Sequence, residues 1–176
     1  MSSLKVGGLV VDLKVKKFYG ISWTLEDFIL ENDVTLPNGV VLPRGERYFT
    51  WKEAIALQRM GIFPKGYRLP TAKEFRNLVR NVGPLTIYKR LNFNICYGFK
   101  EYEGLYRTHD AKALVECGDL YSDYWSSSSG EKHNAVAFEI SISGLPKRNL
   151  WVGAWMRTSY RRYANSIRLV YDPILS

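Results

Sequence analysis

The sequence predicts an α+β fold with two capped helices and small antiparallel sheets joined by long loops, and three observations carry that prediction. Two Thr-x-x-Glu signatures, Thr50 with Glu53 and Thr71 with Glu74, each precede apolar residues at helical spacing. Residues 135–142 alternate strictly, with Val136, Phe138, Ile140 and Ile142 on one side and Ala135, Ala137, Glu139 and Ser141 on the other, the period of a half-buried strand. Near the C-terminus Ile167, Leu169 and Tyr171 alternate with Arg168 and Val170, which suits a strand close to a sheet centre.

Composition sets the frame for these elements. With 176 residues, 46% of them hydrophobic and 14% aromatic, the chain can bury one real core, and no internal repeat, low-complexity tract or linker divides it. Residues 1–176 are therefore expected to form a single domain, with 1–44 as an N-terminal extension of strands and turns. Lysine and arginine number 25 against 17 acids, a formal charge of +8 that favours acidic partners, anionic glycans or nucleic acid. No apolar run reaches the ~18 residues of a membrane span, and Asp12 interrupts the short apolar stretch at the start. Neither a signal peptide nor membrane insertion is expected, which points to a cytoplasmic or virion-associated protein. Cys96 and Cys117, without CxxC spacing, exclude a zinc cage and read as buried free thiols or a single bridge.

Taken in order, the first 48 residues read as strands and turns. Asn38-Gly39, flanked by apolar residues, is a strong turn signal. After the first capping box, Trp51, Ala54, Ile55 and Gln58 follow at helical spacing and Gly61 closes the helix. The stretch "GYRLPTAKEF" repeats the device. Pro70 holds Leu69 extended before the Thr71 cap and can staple onto Phe75, and Ala72, Phe75, Leu78, Val79 and Val82 make one apolar face. Gly83-Pro84 stops the second helix, after which strand and loop character begins, with "LNFNICYGF" alternating. Arg68, beside this stiff corner, is expected to bind backbone carbonyls and pin two loops; the competing reading is an exposed ligand-binding arginine.

The order "GYRLPTAKEF", "YWSSS" and "SIRLV" resembles the C-type-lectin-like fold of bacterial major paralogous domains and of the variable proteins of diversity-generating retroelements, including phage receptor-binding proteins. The likeness spans residues 45–172. Gly66, Arg68, Leu69, Pro70, Thr71 and Glu74 match its G-W-R-L-P-T-x-x-E-W pattern, while Tyr67 and Phe75 replace tryptophans. Trp125, Ser126 and Ser127 match its Y-W-S-S step, and Ser166, Ile167, Arg168 and Val170 match its closing strand. These are structural motifs, and fold does not give function.

Several activities are disfavoured. No Glu-Pro-Asn loop is present, and the serines after Trp125 are poor calcium ligands, so neither a calcium site nor any other metal or cofactor is expected. The related formylglycine-generating enzymes need cysteines near the C-terminus, and none follows Cys117. His109, Asp110 and His133 read as loop residues rather than a triad. The serine run lacks a nucleophile elbow and more readily supplies hydroxyls to backbone groups in a tight turn. Asp12, Asp27 and Asp33 are too scattered for a paired-carboxylate site. No catalytic residue is assigned.

One segment, "RNLWVGAWMRTSYRRY" at 148–163, has the composition of a binding hot spot. In the resembled retroelement proteins, the stretch between Y-W-S-S and the closing strand is diversified and binds ligand. The candidate ligand-binding residues are Asn149, Trp151, Trp155, Arg157, Ser159, Tyr160, Arg162 and Tyr163. Of these, Trp155, Arg157, Tyr160, Arg162 and Tyr163 are expected to form one exposed surface, although Trp151 and Trp155 equally suit a core or hairpin. The expected function is a non-enzymatic module that binds a protein or glycan on a cell surface, in its most concrete form a phage receptor-binding or retroelement-diversified protein. A nucleic-acid-binding protein using the same basic, aromatic surface is the alternative. A structural subunit of a surface or virion assembly is a third reading, and an oligomer fits either.

Overall fold

A two-residue turn starts the core. Tyr19 and Gly20 both adopt left-handed backbone (φ 48° and 85°), the geometry whose twist matches that of the strands it joins. These strands are β3 (Val15–Phe18) and β4 (Ile21–Thr24), preceded by the hairpin of β1 (Ser3–Val6) and β2 (Leu9–Asp12). The computed structural model describes residues 3–6, 9–91, 99–102, 105–109, 119–143 and 151–175. Next come β5 (Val34–Thr35) and β6 (Val41–Leu42), joined through the predicted Asn38-Gly39 turn, where the Gly39 amide donates to the Leu36 carbonyl at 2.9 Å.

β7 (Phe49–Thr50) leads into α1 (Trp51–Arg59). Its capping box is complete: Thr50 Oγ1 accepts from the Glu53 amide, and Glu53 Oε2 accepts from the Thr50 amide. The helix ends in a Schellman motif. The Gly61 amide donates to Gln58 and that of Ile62 to Leu57, a closure that needs the left-handed φ of 69° at Gly61. Short strand β8 (Tyr67–Arg68) precedes α2 (Ala72–Val82), whose Thr71–Glu74 box is likewise complete.

At Gly83-Pro84 the structure departs from the sequence reading. A third helix, α3 (Pro84–Leu91), follows directly, with Gly83 accepting from the Ile87 amide and Pro84 as its first residue. Proline stops the preceding helix but is well placed at a first helical position, where its missing N–H costs nothing. The chain continues through β9 (Phe99–Tyr102) and β10 (Leu105–His109), which form a hairpin. The alternation read over 91–99 lies mostly outside the described residues, as do Cys96, Asp110 and Cys117.

β11 (Asp119–Ser129), β12 (Asn134–Ser143) and β13 (Trp151–Tyr160) form an antiparallel sheet in that order. β14 (Ala164–Asn165) pairs with β7, and β15 (Val170–Tyr171) lies between β4 and β8, followed by a 3-10 turn, Pro173–Leu175. The predicted closing strand is thus central but short, and residues 166–169 lead into it without belonging to it. The described chain is α+β, with three helices and several small antiparallel sheets.

β12 is buried on both faces, not one. Phe138 and Ile140 pack against Phe75, Leu78, Ile87 and Leu91, with the Phe75 and Phe138 rings stacked at 4.6 Å. Ala135 and Ala137 belong to a second cluster with Phe49, Ala54, Leu57 and Trp125. Both alanines are fully buried in that cluster, so this part of the face meets the core and not solvent. Residues 13–44 are no appendage either: Trp23 enters the first cluster and Leu30, Leu36 and Leu42 the second, all buried.

Candidate functional site

The corner at 66–74 is held by charge as well as by caps. Arg68 donates to both carboxylate oxygens of Glu74 at 2.7 and 2.9 Å, to Asp172 at 2.8 Å, and to the carbonyl of Leu69 at 3.1 Å. It pins the start of α2 to the segment after β15, and it does so mainly through carboxylates, because Glu74 faces it across the capping box. Burial pushes the Glu74 carboxyl up, but the Arg68 donors and the Thr71 amide outweigh it and hold the group below its usual range.

The role expected of Arg68 belongs to Arg168. This side chain is fully buried, donates to the carbonyls of Thr24 at 3.1 Å and Leu91 at 2.9 Å, and pairs with Asp27 at 2.6 Å. Its guanidinium also lies over the Tyr124 ring at 5.6 Å.

The three motifs are neighbours in space. The Ser127 amide donates to Pro70 at 2.8 Å and Ser128 Oγ accepts from the Ala72 amide at 3.0 Å, which ties the serine run to the start of α2. The Trp125 amide donates to Ser166, and its indole N–H to Phe49. Ser126 donates to the Val136 carbonyl at 2.6 Å. These hydroxyls serve backbone groups as the sequence suggested, but from an irregular strand end in β11 rather than a tight turn. Leu69 and Pro70 are buried beneath this junction, and the Gly66 carbonyl accepts from Asp172.

The expected single binding surface divides in two, because β13 alternates. Trp155, Arg157 and Ser159 share one face, paired in register with Glu139, Ala137 and Ala135, whereas Tyr160 points to the other. Ser159 is only 3% exposed, which removes it from the candidate ligand residues. Arg157 forms ion pairs with Glu139 and, at 3.7 Å, with Asp123, while Trp155 lies beside it, 39% exposed. Asp123 is buried and neither of its oxygens accepts a hydrogen bond. Burial pushes its carboxyl up to about 7, Arg157 opposing the rise and Glu139 adding to it. Trp151 opens β13, where only its backbone is described, and Asn149 lies outside the described residues.

The second group sits at the end of β13. Tyr160 and Tyr163 meet edge to face at 5.2 Å, and the Arg162 guanidinium lies 5.6 and 6.0 Å from their ring centres. Tyr160 and Arg162 are exposed and Tyr163 is half-buried. Arg161 anchors the turn that carries them: it lies over the Trp51 ring at 4.6 Å and donates to the Asn134 carbonyl, and its own carbonyl accepts from the Trp51 amide. Between this turn, α1 and the Asn38 turn runs a cleft of about 960 Å³, lined by Lys52, Lys132, Arg161 and Arg162 together with Glu53 and His133.

Lys52, Lys132 and Asp27 were not singled out as site residues from the sequence. Lys52 and Lys132 are ordinary surface lysines until β7 pairs with β14 and brings residues 50 and 164 together. Asp27 gives a weak clue, an acid between Leu25 and Phe28. Among the described residues no three His, Cys, Asp or Glu side chains converge, and no helix is long and apolar enough to cross a membrane. Scans against protein-family models, curated proteins and solved structures each return no match.

Proposed function

We propose that the chain is a non-enzymatic recognition module on a C-type-lectin-like scaffold, presenting Tyr160, Arg162 and Tyr163 to a protein or glycan on a cell surface. The observation that carries this reading is the division of labour at the end of β13. Arg161 faces inward and fixes the turn on Trp51 and Asn134, while its neighbours form an aromatic and cationic cluster directed outward. Tyrosine and arginine on a rigid support provide contact area and donors at little entropic cost. The contacts of the Trp125–Ser128 segment with Pro70 and Ala72 on one side and with Ser166 on the other support the lectin-like reading, since the motifs behind the resemblance share backbone hydrogen bonds.

A phage receptor-binding or retroelement-diversified protein remains the most concrete form of this function. Its test is capture on arrays of glycans and cell-surface proteins by the wild type and by Tyr160→Ala/Tyr163→Ala. The proposal expects a ligand retained by the first and lost by the second. Equal capture by both would contradict it.

A further inference from the structure

We infer that the cleft between α1 and the β13–β14 turn takes an acidic glycan, with its carboxylate or sulfate groups held by Lys52, Lys132 and Arg162. This rests on the proposed function and names the ligand class of its site. The cleft is lined by four cations, Lys52, Lys132, Arg161 and Arg162, against one carboxylate, Glu53. That carboxylate is already committed to the α1 cap, where it accepts from the Thr50 amide at 2.7 Å. Lys52, Lys132 and Arg162 are exposed, and among the described residues none of them is ion-paired. Arg161 spends its donors on a neutral carbonyl and a ring, so its charge still adds to the field of the cleft. Like charges gathered in a concave surface repel one another and raise the local concentration of anions.

Nucleic acid binds such basic clefts by stacking its bases on open aromatic faces. Here Tyr160 and Tyr163 meet edge to face, with their planes 73° apart and Arg162 over both rings, so the two rings do not make a parallel platform on which successive bases could stack. The cleft walls are mainly helix α1 and the turns at 36–38, 132–133 and 161–162; of the strands only the end residues Thr50 of β7 and Tyr160 of β13 reach it, too short a stretch for an acidic peptide to pair its main chain. The donors that remain, the Tyr160 hydroxyl and the three cations, suit a ligand rich in hydroxyl and acidic oxygens. A volume of about 960 Å³ accommodates a short oligosaccharide.

The experiment is calorimetric titration at physiological salt with five probes: a heparin-derived hexasaccharide, a hexamer of sialic acid, maltohexaose, a dT hexanucleotide and hexaglutamate. The wild type is expected to bind at least one of the two acidic saccharides ten times more tightly than the other three probes; a preference for the heparin hexasaccharide, which carries carboxylates as well as sulfates, would assign the gain to sulfate, whereas equal or tighter binding of the sialic acid hexamer would show that carboxylates suffice. Lys52→Ala/Lys132→Ala should weaken that binding at least tenfold with the fold intact by circular dichroism. Lys16→Ala/Lys17→Ala, which removes the same charge from exposed β3, should change it less than twofold. The inference is overturned if maltohexaose, the oligonucleotide or the peptide binds as tightly as the acidic saccharides, if none of the probes binds, or if the two double variants behave alike. A ligand from the arrays that depends on Tyr160 and Tyr163 but is indifferent to Lys52 and Lys132 would leave the proposed function standing and remove the acidic glycan.

Discussion

The Arg168 guanidinium and the Asp27 carboxylate lie 2.6 Å apart in the interior, with the arginine wholly buried and the aspartate side chain 10% exposed. The same guanidinium donates to Thr24 and Leu91, so one side chain near the C-terminus joins the end of β4, the end of α3 and the segment after β4. Removing one member of such a network leaves the rest buried and unpaired. Arg168→Ala is expected to cost about 3 to 5 kcal/mol in urea unfolding. Arg168→Lys should recover little of this, because one ammonium cannot reproduce a planar fork aimed at three acceptors. A loss below about 1 kcal/mol for either variant would show that the network is dispensable.

Arg68 has a different energetic character, being partly exposed and paired chiefly with carboxylates. Arg68→Ala should destabilise by about 1 to 3 kcal/mol at neutral pH. The Glu74 carboxyl is depressed in the folded state, so its contribution is present above the ordinary carboxylate range and disappears as pH falls through the folded value. The gap between wild type and Arg68→Ala should therefore close below about pH 4. A gap that stays constant from pH 7 to pH 3 would place the effect in packing instead.

Asp123 has the opposite sign. With its carboxyl raised to about 7 by burial, the folded chain holds a proton that the unfolded chain releases near pH 4. Its contribution is full below that lower value and is lost as pH rises through about 7, after which the dependence levels off. Asp123→Asn keeps the shape and removes the titration. It should flatten the fall in stability between about pH 4 and 7 and be more stable than wild type at pH 8 by about 1 to 4 kcal/mol. Identical pH profiles for the two proteins would mean that Asp123 is ionised throughout.

These residues show which parts of the molecule the sequence discloses. Thr50 with Glu53, Thr71 with Glu74, Gly61 and Asn38-Gly39 act within a few residues, so their hydrogen bonds follow from spacing alone. The alternation of 135–142 was legible for the same reason, but the burial of Ala135 and Ala137 was not, because it depends on elements some 80 residues earlier in the chain. α3 is hidden in the sequence because Gly83-Pro84 reads as a stop, whereas the same proline also opens a helix. The partners of Arg168 lie 144 and 77 residues away, and no local pattern announces them. In the 151–163 segment, composition groups Trp155, Arg157, Ser159 and Tyr160, whereas the two-residue period of β13 separates Tyr160 from the others. The cluster of Tyr160, Arg162 and Tyr163 survives because its residues flank a turn.

On the proposed function, this cluster serves recognition and not folding. That role is tested most directly by measuring the melting temperature and the ligand Kd of one variant, Tyr160→Ala/Arg162→Ala/Tyr163→Ala, beside the wild type, with the ligand captured on the arrays. Tyr160 is 48% exposed and Arg161, left in place, still anchors the turn. The variant is therefore expected to lose no more than about 1 kcal/mol of stability while losing at least about 2 kcal/mol of affinity, roughly thirtyfold in Kd. A variant that unfolds would make the cluster part of the core, and one that folds and binds with an unchanged Kd would place the recognition surface elsewhere on the molecule.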